Sequence, residues 1–129
     1  IMNPPYFISN SVIKSNNKFK ASARYESNIN EWFEAAYKKL KPKGYMNFVF
    51  RTESLALILS KLNGSWGEIK IFPLWPKVNV KSKLMILQAK KNAKSGVQIL
   101  PGLILHNNDG SYTDACNSIL NNKSDIQLD

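Results

Sequence analysis

The chain has 129 residues and a mass of 14.6 kDa, and its 43% hydrophobic and 11% aromatic content supplies enough apolar material for one packed core; this argues against multi-domain and wholly disordered architectures. Eighteen Lys and Arg against nine Asp and Glu leave a net charge of +9, so polyanions are the natural partners. Cys116 is the single cysteine, no CxxC or Cys/His cluster has metal-ligand spacing, and the longest apolar stretches fall short of the roughly 20 residues a bilayer helix needs, so a cytoplasmic protein outside the membrane is expected.

The chain opens on Ile1-Met2, which reads as the end of a buried strand, and no secretory leader explains this start. The expectation is therefore the interior of a longer gene product. Asn3-Pro4-Pro5-Tyr6 must leave the strand, because two prolines remove two backbone donors and bias the chain away from helix. Residues 7–27 are polar and basic with little periodicity and read as a long loop. A helix then follows from Asn28 or Asn30 as the cap, with Ile29, Trp32, Phe33, Ala36, Tyr37 and Leu40 at helical spacing and Pro42-Lys43-Gly44 as its stop.

Tyr45 to Arg51 is aromatic and β-branched and predicts a buried parallel strand. Thr52 is expected to cap a second helix whose stripe is Leu55, Ile58, Leu59 and Leu62, with Asn63-Gly64 as its end. Trp66 to Leu74 and Leu84 to Lys90 predict an antiparallel hairpin joined by a basic connection. Val97 to His106 is an apolar run broken at Pro101-Gly102, Asp109-Gly110 is a turn, and Thr113 to Leu120 reads as a short amphipathic helix with Cys116 on its apolar side. Residues 123–129 form an expected frayed tail.

The constellation with a specific chemical use is Asn3-Pro4-Pro5-Tyr6. The Asn3 amide oxygen and the Pro4 carbonyl can accept hydrogen bonds from a planar NH2 group, the Tyr6 ring can stack on a base, and paired prolines hold the acceptors rigid. The competing reading is a plain turn, since Asn and Pro are common turn residues. The order of strand, NPPY, long loop, helix ending in Lys-Pro-Lys-Gly, and strand resembles the second half of a class I S-adenosylmethionine-dependent methyltransferase acting on amino nitrogen. Residues 51–55 (RTESL), 67–76 (GEIKIFPLWP), 100–106 (LPGLILH) and 109–113 (DGSYT) resemble the bacterial tRNA (adenine-N6) methyltransferase family, which modifies the adenosine beside the anticodon of a valine tRNA.

This resemblance covers roughly residues 1 to 120. It implies an α/β fold, the C-terminal half of a Rossmann-like methyltransferase, with parallel strands and a closing antiparallel hairpin in residues 1–122. It implies methyl transfer from S-adenosylmethionine to the exocyclic N6 amine of an adenosine in tRNA, with Asn3 and Pro4 binding the amine, Pro5 shaping the loop and Tyr6 stacking on the flipped adenine. Arg24 falls where the family carries a basic residue. NPPY is shared with DNA-adenine and protein-glutamine methyltransferases, which keeps an N-methyltransferase acting on DNA or a protein amide as an alternative, beside a non-catalytic basic RNA-binding module of the same fold. The six glycines are scattered and none forms a Gly-x-Gly unit at a strand-helix junction, so the cofactor half is not readable in this chain, and the fragment alone is expected to be inactive.

Lys38, Lys39, Lys41 and Lys43 sit at a helix end, where opposing the macrodipole explains them. Lys77, Lys81, Lys83, Lys90 and Lys91 lie in and around the hairpin and are the better candidates for contacts to an RNA backbone. Trp75 is read as packing at a core edge, with base stacking as the other use; Trp32 and Trp66 are read as packing and His106 as a surface or capping residue. The missing first strand is expected to leave a sheet edge through which the chain self-associates.

Overall fold

The computed structural model describes residues 1, 28–62 and 64–128. The expected features at Asn3, Pro4, Pro5, Tyr6 and Arg24, like the 7–27 loop, lie outside the described residues. A helix, α1, runs over residues 28–39, followed by strand β1 (Tyr45–Arg51), a 3-10 turn (Thr52–Ser54) leading into α2 (Leu55–Lys61), strands β2 (Trp66–Trp75), β3 (Leu84–Lys91), β4 (Val97–Ile99) and β5 (Leu103–Ile104), and helix α3 (Asp114–Leu120). The strands form one mixed sheet in the order β1-β3-β2-β4, with β5 also on β2.

Alternation decides which side of this sheet is dry. Met46, Phe48 and Phe50 on β1, Met85, Leu87 and Ala89 on β3, and Ile69 and Ile71 on β2 are all buried. The register aligns Phe48, Leu87 and Ile71 in one row across three strands, each at most 1% exposed. Ile29 and Phe33 of α1 and Ile58 of α2, with Leu62 just beyond it, complete the same core cluster. Ala36, Tyr37, Leu40, Leu55 and Leu59 of the expected helical stripes are half-buried against it, whereas Trp32 is 38% exposed and belongs to the outer side of α1.

The hairpin pairs antiparallel from Trp66↔Lys91 to Leu74↔Leu84, with an irregularity between Gly67 and Lys70. β1 is antiparallel to β3, its bonded neighbour among the described residues, because β3 inserts between β1 and β2. β1 and β2 thus run in the same direction without touching as a pair, and the parallel pairings are those of β4 and β5 with β2. Thr52 does not act as an N-cap. Arg51 holds that position for the 3-10 turn and Ser54 for α2, no side chain caps at either, and the Thr52 hydroxyl instead lies 3.3 Å from Ser82 Oγ in the β2–β3 connection. Ile1 is exposed and outside any strand, and Met2 falls outside the described residues. Residues 121–128 carry neither helix nor strand, yet Ile126 and Leu128 line a shallow groove of about 470 Å³ with Ile1, Asn47, Val49 and Ile86 on the far face of the sheet.

Pro73 in a strand paired on both sides needs an explanation, since it has no donor for a ladder. The carbonyls of Ile71 and Trp75 accept from Leu100 and Leu105 on the β4–β5 side, both at 2.8 Å, so Pro73 turns its nitrogen to that same side. The neighbouring chain breaks at Pro101-Gly102 at this level, and no donor is required. Gly102 sits there with φ +82°, and a Cβ would stand 2.2 Å from the Pro73 carbonyl oxygen. Gly102→Ala is therefore expected to cost about 3 kcal/mol from backbone strain and forced displacement, and to lower Tm by about 10 °C. Thermal unfolding followed by circular dichroism reads this directly; an unchanged Tm would mean that the turn is not seated against β2.

Candidate functional site

The direction of the strands sorts the basic residues into two edges. β1 and β2 both end at one edge, where Arg51, Lys77, Lys81 and Lys83 lie, the last three in the β2–β3 connection. Lys90 and Lys91 pair with Tyr45, Gly67 and Trp66 at the opposite edge. The five hairpin lysines expected to act together are thus divided.

The two at the far edge have structural partners. Lys90 Nζ donates to both carboxylate oxygens of Glu68, at 3.0 and 2.9 Å, and lies 5.2 Å from the centre of the Tyr45 ring. The hydrogen bond from Lys90 holds the Glu68 carboxyl below its usual range, and the same bond raises the Lys90 ammonium. Lys91 Nζ donates to the carbonyls of Tyr37 and, at 2.8 Å, Leu40, and sits 4.3 Å from the centre of the Tyr37 ring. A cation there satisfies orphan carbonyls at the C-terminal end of α1 and opposes its dipole. Sequence spacing gave no sign of these bonds, because the bonded residues are 54 and 51 positions apart in the chain.

At the other edge the charges are freer. Arg51 Nε is 2.9 Å from Glu53, and Lys77 Nζ donates to the Asn108 carbonyl at 3.0 Å. Lys81 and Lys83 are exposed. The connection that carries them is braced at its root: Ser82 Oγ lies 3.0 Å from the Leu74 carbonyl and 2.8 Å from that of Leu84, and the Thr52 amide donates to the Lys83 carbonyl at 3.0 Å. Its tip is closed by the Val80 amide bonding the Lys77 carbonyl, with Asn79 in the left-handed region at φ 59°.

Opposite this connection, residues 101–115 form a second wall. Trp75 donates its indole N–H to the Pro101 carbonyl at 3.0 Å, which fixes the indole and couples β2 to the break. The Thr113 hydroxyl donates to the Ile104 carbonyl at 2.7 Å while accepting from the Cys116 amide at 3.2 Å, so the N-terminus of α3 hangs from β5 and Cys116 is buried as expected. His106 bonds through its backbone to Pro76 and stacks on Tyr112 at 4.8 Å between ring centres; its Nδ1 is buried without a hydrogen-bond partner among the described residues. Asp109 accepts from the Ser111 hydroxyl and amide, and the first of these bonds chiefly holds its carboxyl below the ordinary range.

Between the two walls lies a cleft of about 860 Å³ lined by Trp75, Val78, Val80, Leu103 and Ile104, with Lys77 and Lys81 also in its lining. Among the described residues no carboxylate lines it, nor the groove on the far face. A nucleoside cofactor with a cationic sulfonium is normally held by a glycine turn and an acidic residue on its ribose; neither lining supplies that donor set. The described lining of these two cavities therefore does not fit S-adenosylmethionine. Among them there is also no group of three or more His, Cys, Asp or Glu suited to a metal ion, and no helix long and apolar enough to cross a membrane.

No protein-family model matches the chain, and no curated protein does. A solved structure that is similar is that of a predicted O-methyltransferase from Agrobacterium tumefaciens, with a TM-score of 0.75 at 18% sequence identity. The alignment takes in 97% of this chain and 51% of the other, so the chain spans about half the length of the protein it matches. The mixed sheet, with its inserted antiparallel strand and helices α1 and α2 on one face, accordingly shares the fold of about half of that structure.

Proposed function

We propose that this chain is the target-base half of an S-adenosylmethionine-dependent methyltransferase that modifies the N6 amine of an adenosine in tRNA, the adenosine beside the anticodon of a valine tRNA. The observation that supports the reading is the likeness to half of a predicted O-methyltransferase structure, in a chain whose sequence carries Asn3-Pro4-Pro5-Tyr6. In this reading the Asn3 amide oxygen and the Pro4 carbonyl accept the two amine protons and orient the nitrogen lone pair; Pro5 stiffens the turn and Tyr6 stacks on the flipped base. In this reading the methyl donor is held outside the two cavities described above. Arg24 and the lysines of the β2–β3 connection attract the RNA; Lys90 and Lys91 serve the fold instead.

The test is a methyl-transfer assay with the full gene product, labelled S-adenosylmethionine and unmodified tRNA, followed by nucleoside analysis. N6-methyladenosine in the anticodon loop is expected. Label in DNA adenine or in a protein amide would replace the substrate, and RNA binding without any transfer would leave a binding module of the same fold.

A further inference from the structure

The cleft between the β2–β3 connection and residues 101–115 has the makings of a ligand site that the amine-binding motif does not use. Its apolar lining is left in water: Val78 is 58%, Val80 42% and Ile104 37% exposed. Three branched aliphatics around one concavity, two of them at a loop tip, are unusual for a surface with no occupant. The framework beneath them is stiff. Gly102 rests against the Pro73 carbonyl, Trp75 is pinned to Pro101, and Ser82 ties the root of the connection to both hairpin strands.

The charges select the occupant. Lys81 is exposed, Lys77 donates to the Asn108 carbonyl while its charge also acts on the Asp109 carboxylate, and the lining holds no acidic side chain among the described residues. Asp109 and Asp114 lie nearby in sequence, but Asp109 is engaged by Ser111 and Asp114 sits in the first turn of α3, where the helix dipole favours it. An apolar floor with a cationic rim suits a flat aromatic group carrying a phosphate, and the whole chain carries +9. Position agrees, since the cleft opens at the edge where β1 and β2 end, away from the edge where Lys90 and Lys91 are bound.

We infer that this cleft takes an unpaired nucleotide of the RNA, its base on Val78, Val80 and Trp75 and its phosphate at Lys77 and Lys81. The inference rests on the proposed RNA substrate and adds a second point of hold, distinct from the residues that bind the amine. Unpaired nucleotides are favoured because only an unstacked base presents a face to an apolar floor.

Fluorescence anisotropy of the full gene product with a labelled anticodon stem-loop RNA tests it. Val80→Asp is expected to weaken binding about 10-fold and Lys81→Ala about 3-fold with a shallower salt dependence, whereas Lys39→Ala on α1 stays within about twofold. Equal affinity in all three variants overturns the inference, as does equal affinity of wild-type protein for a fully paired duplex. A 4-thiouridine-substituted RNA adds a reading independent of the variants: crosslinks at residues 75–81 or 101–113 support the cleft, and crosslinks confined to the far edge overturn it. Binding is read without methyl transfer, so the two proposals fail separately. RNA held at the cleft by a protein that methylates nothing removes the activity and keeps the site; methylation with undiminished Val80→Asp affinity does the reverse.

Discussion

Asn3→Ala is expected to reduce methyl transfer by the full gene product about 10³-fold while RNA affinity stays within about twofold. The amide oxygen is one of two proposed acceptors for the amine, and its bond strengthens as nitrogen gains positive charge on the way to the methylated product. Its loss therefore falls on the transition state more than on the bound substrate, and kcat drops while KM barely moves. Most of the RNA contact lies elsewhere, in backbone phosphates that the lysines attract. Single-turnover rates beside equilibrium binding separate the two terms, and a rate within tenfold of wild type would remove Asn3 from the amine site.

Phe48→Ala is expected to lower stability by about 4 kcal/mol and Tm by about 15 °C. Phe48 is fully buried, its ring 5.3 Å from Phe33 of α1 in an edge-on arrangement and 5.9 Å from Phe50 in a stacked one. It also begins the row that continues through Leu87 to Ile71, so truncation opens a cavity at the junction of α1 and three strands. Rigid neighbours on every side limit collapse into that space. Phe48→Leu refills much of the volume and should restore more than half of the loss. Chemical denaturation of the two variants side by side checks both figures; equal stability of Phe48→Ala and wild type would show that α1 is not docked on the sheet.

Periodicity carried much of this fold. The stripes of α1 and α2, the hairpin, the break at Pro101-Gly102 and the capped helix at Thr113 each follow from local spacing or from a residue with restricted backbone freedom. What escaped was set by partners distant in the chain. Lys90 and Lys91 are adjacent and look alike in sequence, yet one meets Glu68 and the other the end of α1, because successive strand residues face opposite sides of the sheet. Thr52 has the chemistry of a cap, but its hydroxyl finds Ser82, thirty residues on. Trp32 fits a buried stripe by spacing and lies partly outside it, since the sheet covers a narrower arc of α1 than the apolar residues span. The cleft was legible only as the motif around Trp75; its second wall comes from residues 101–115, which topology alone brings across.

The unequal fastening of β2 has a kinetic consequence. On one side it holds a long antiparallel partner joined by a short connection, and on the other only β4 and β5, each two or three residues long and separated by the Pro101-Gly102 gap. The amides of β4, β5 and α3 therefore form a small cooperative unit that can exchange with solvent without opening the hairpin. One wall of the cleft belongs to that unit and the other to the hairpin, so a ligand spanning both is expected to slow amide exchange in β4, β5 and α3.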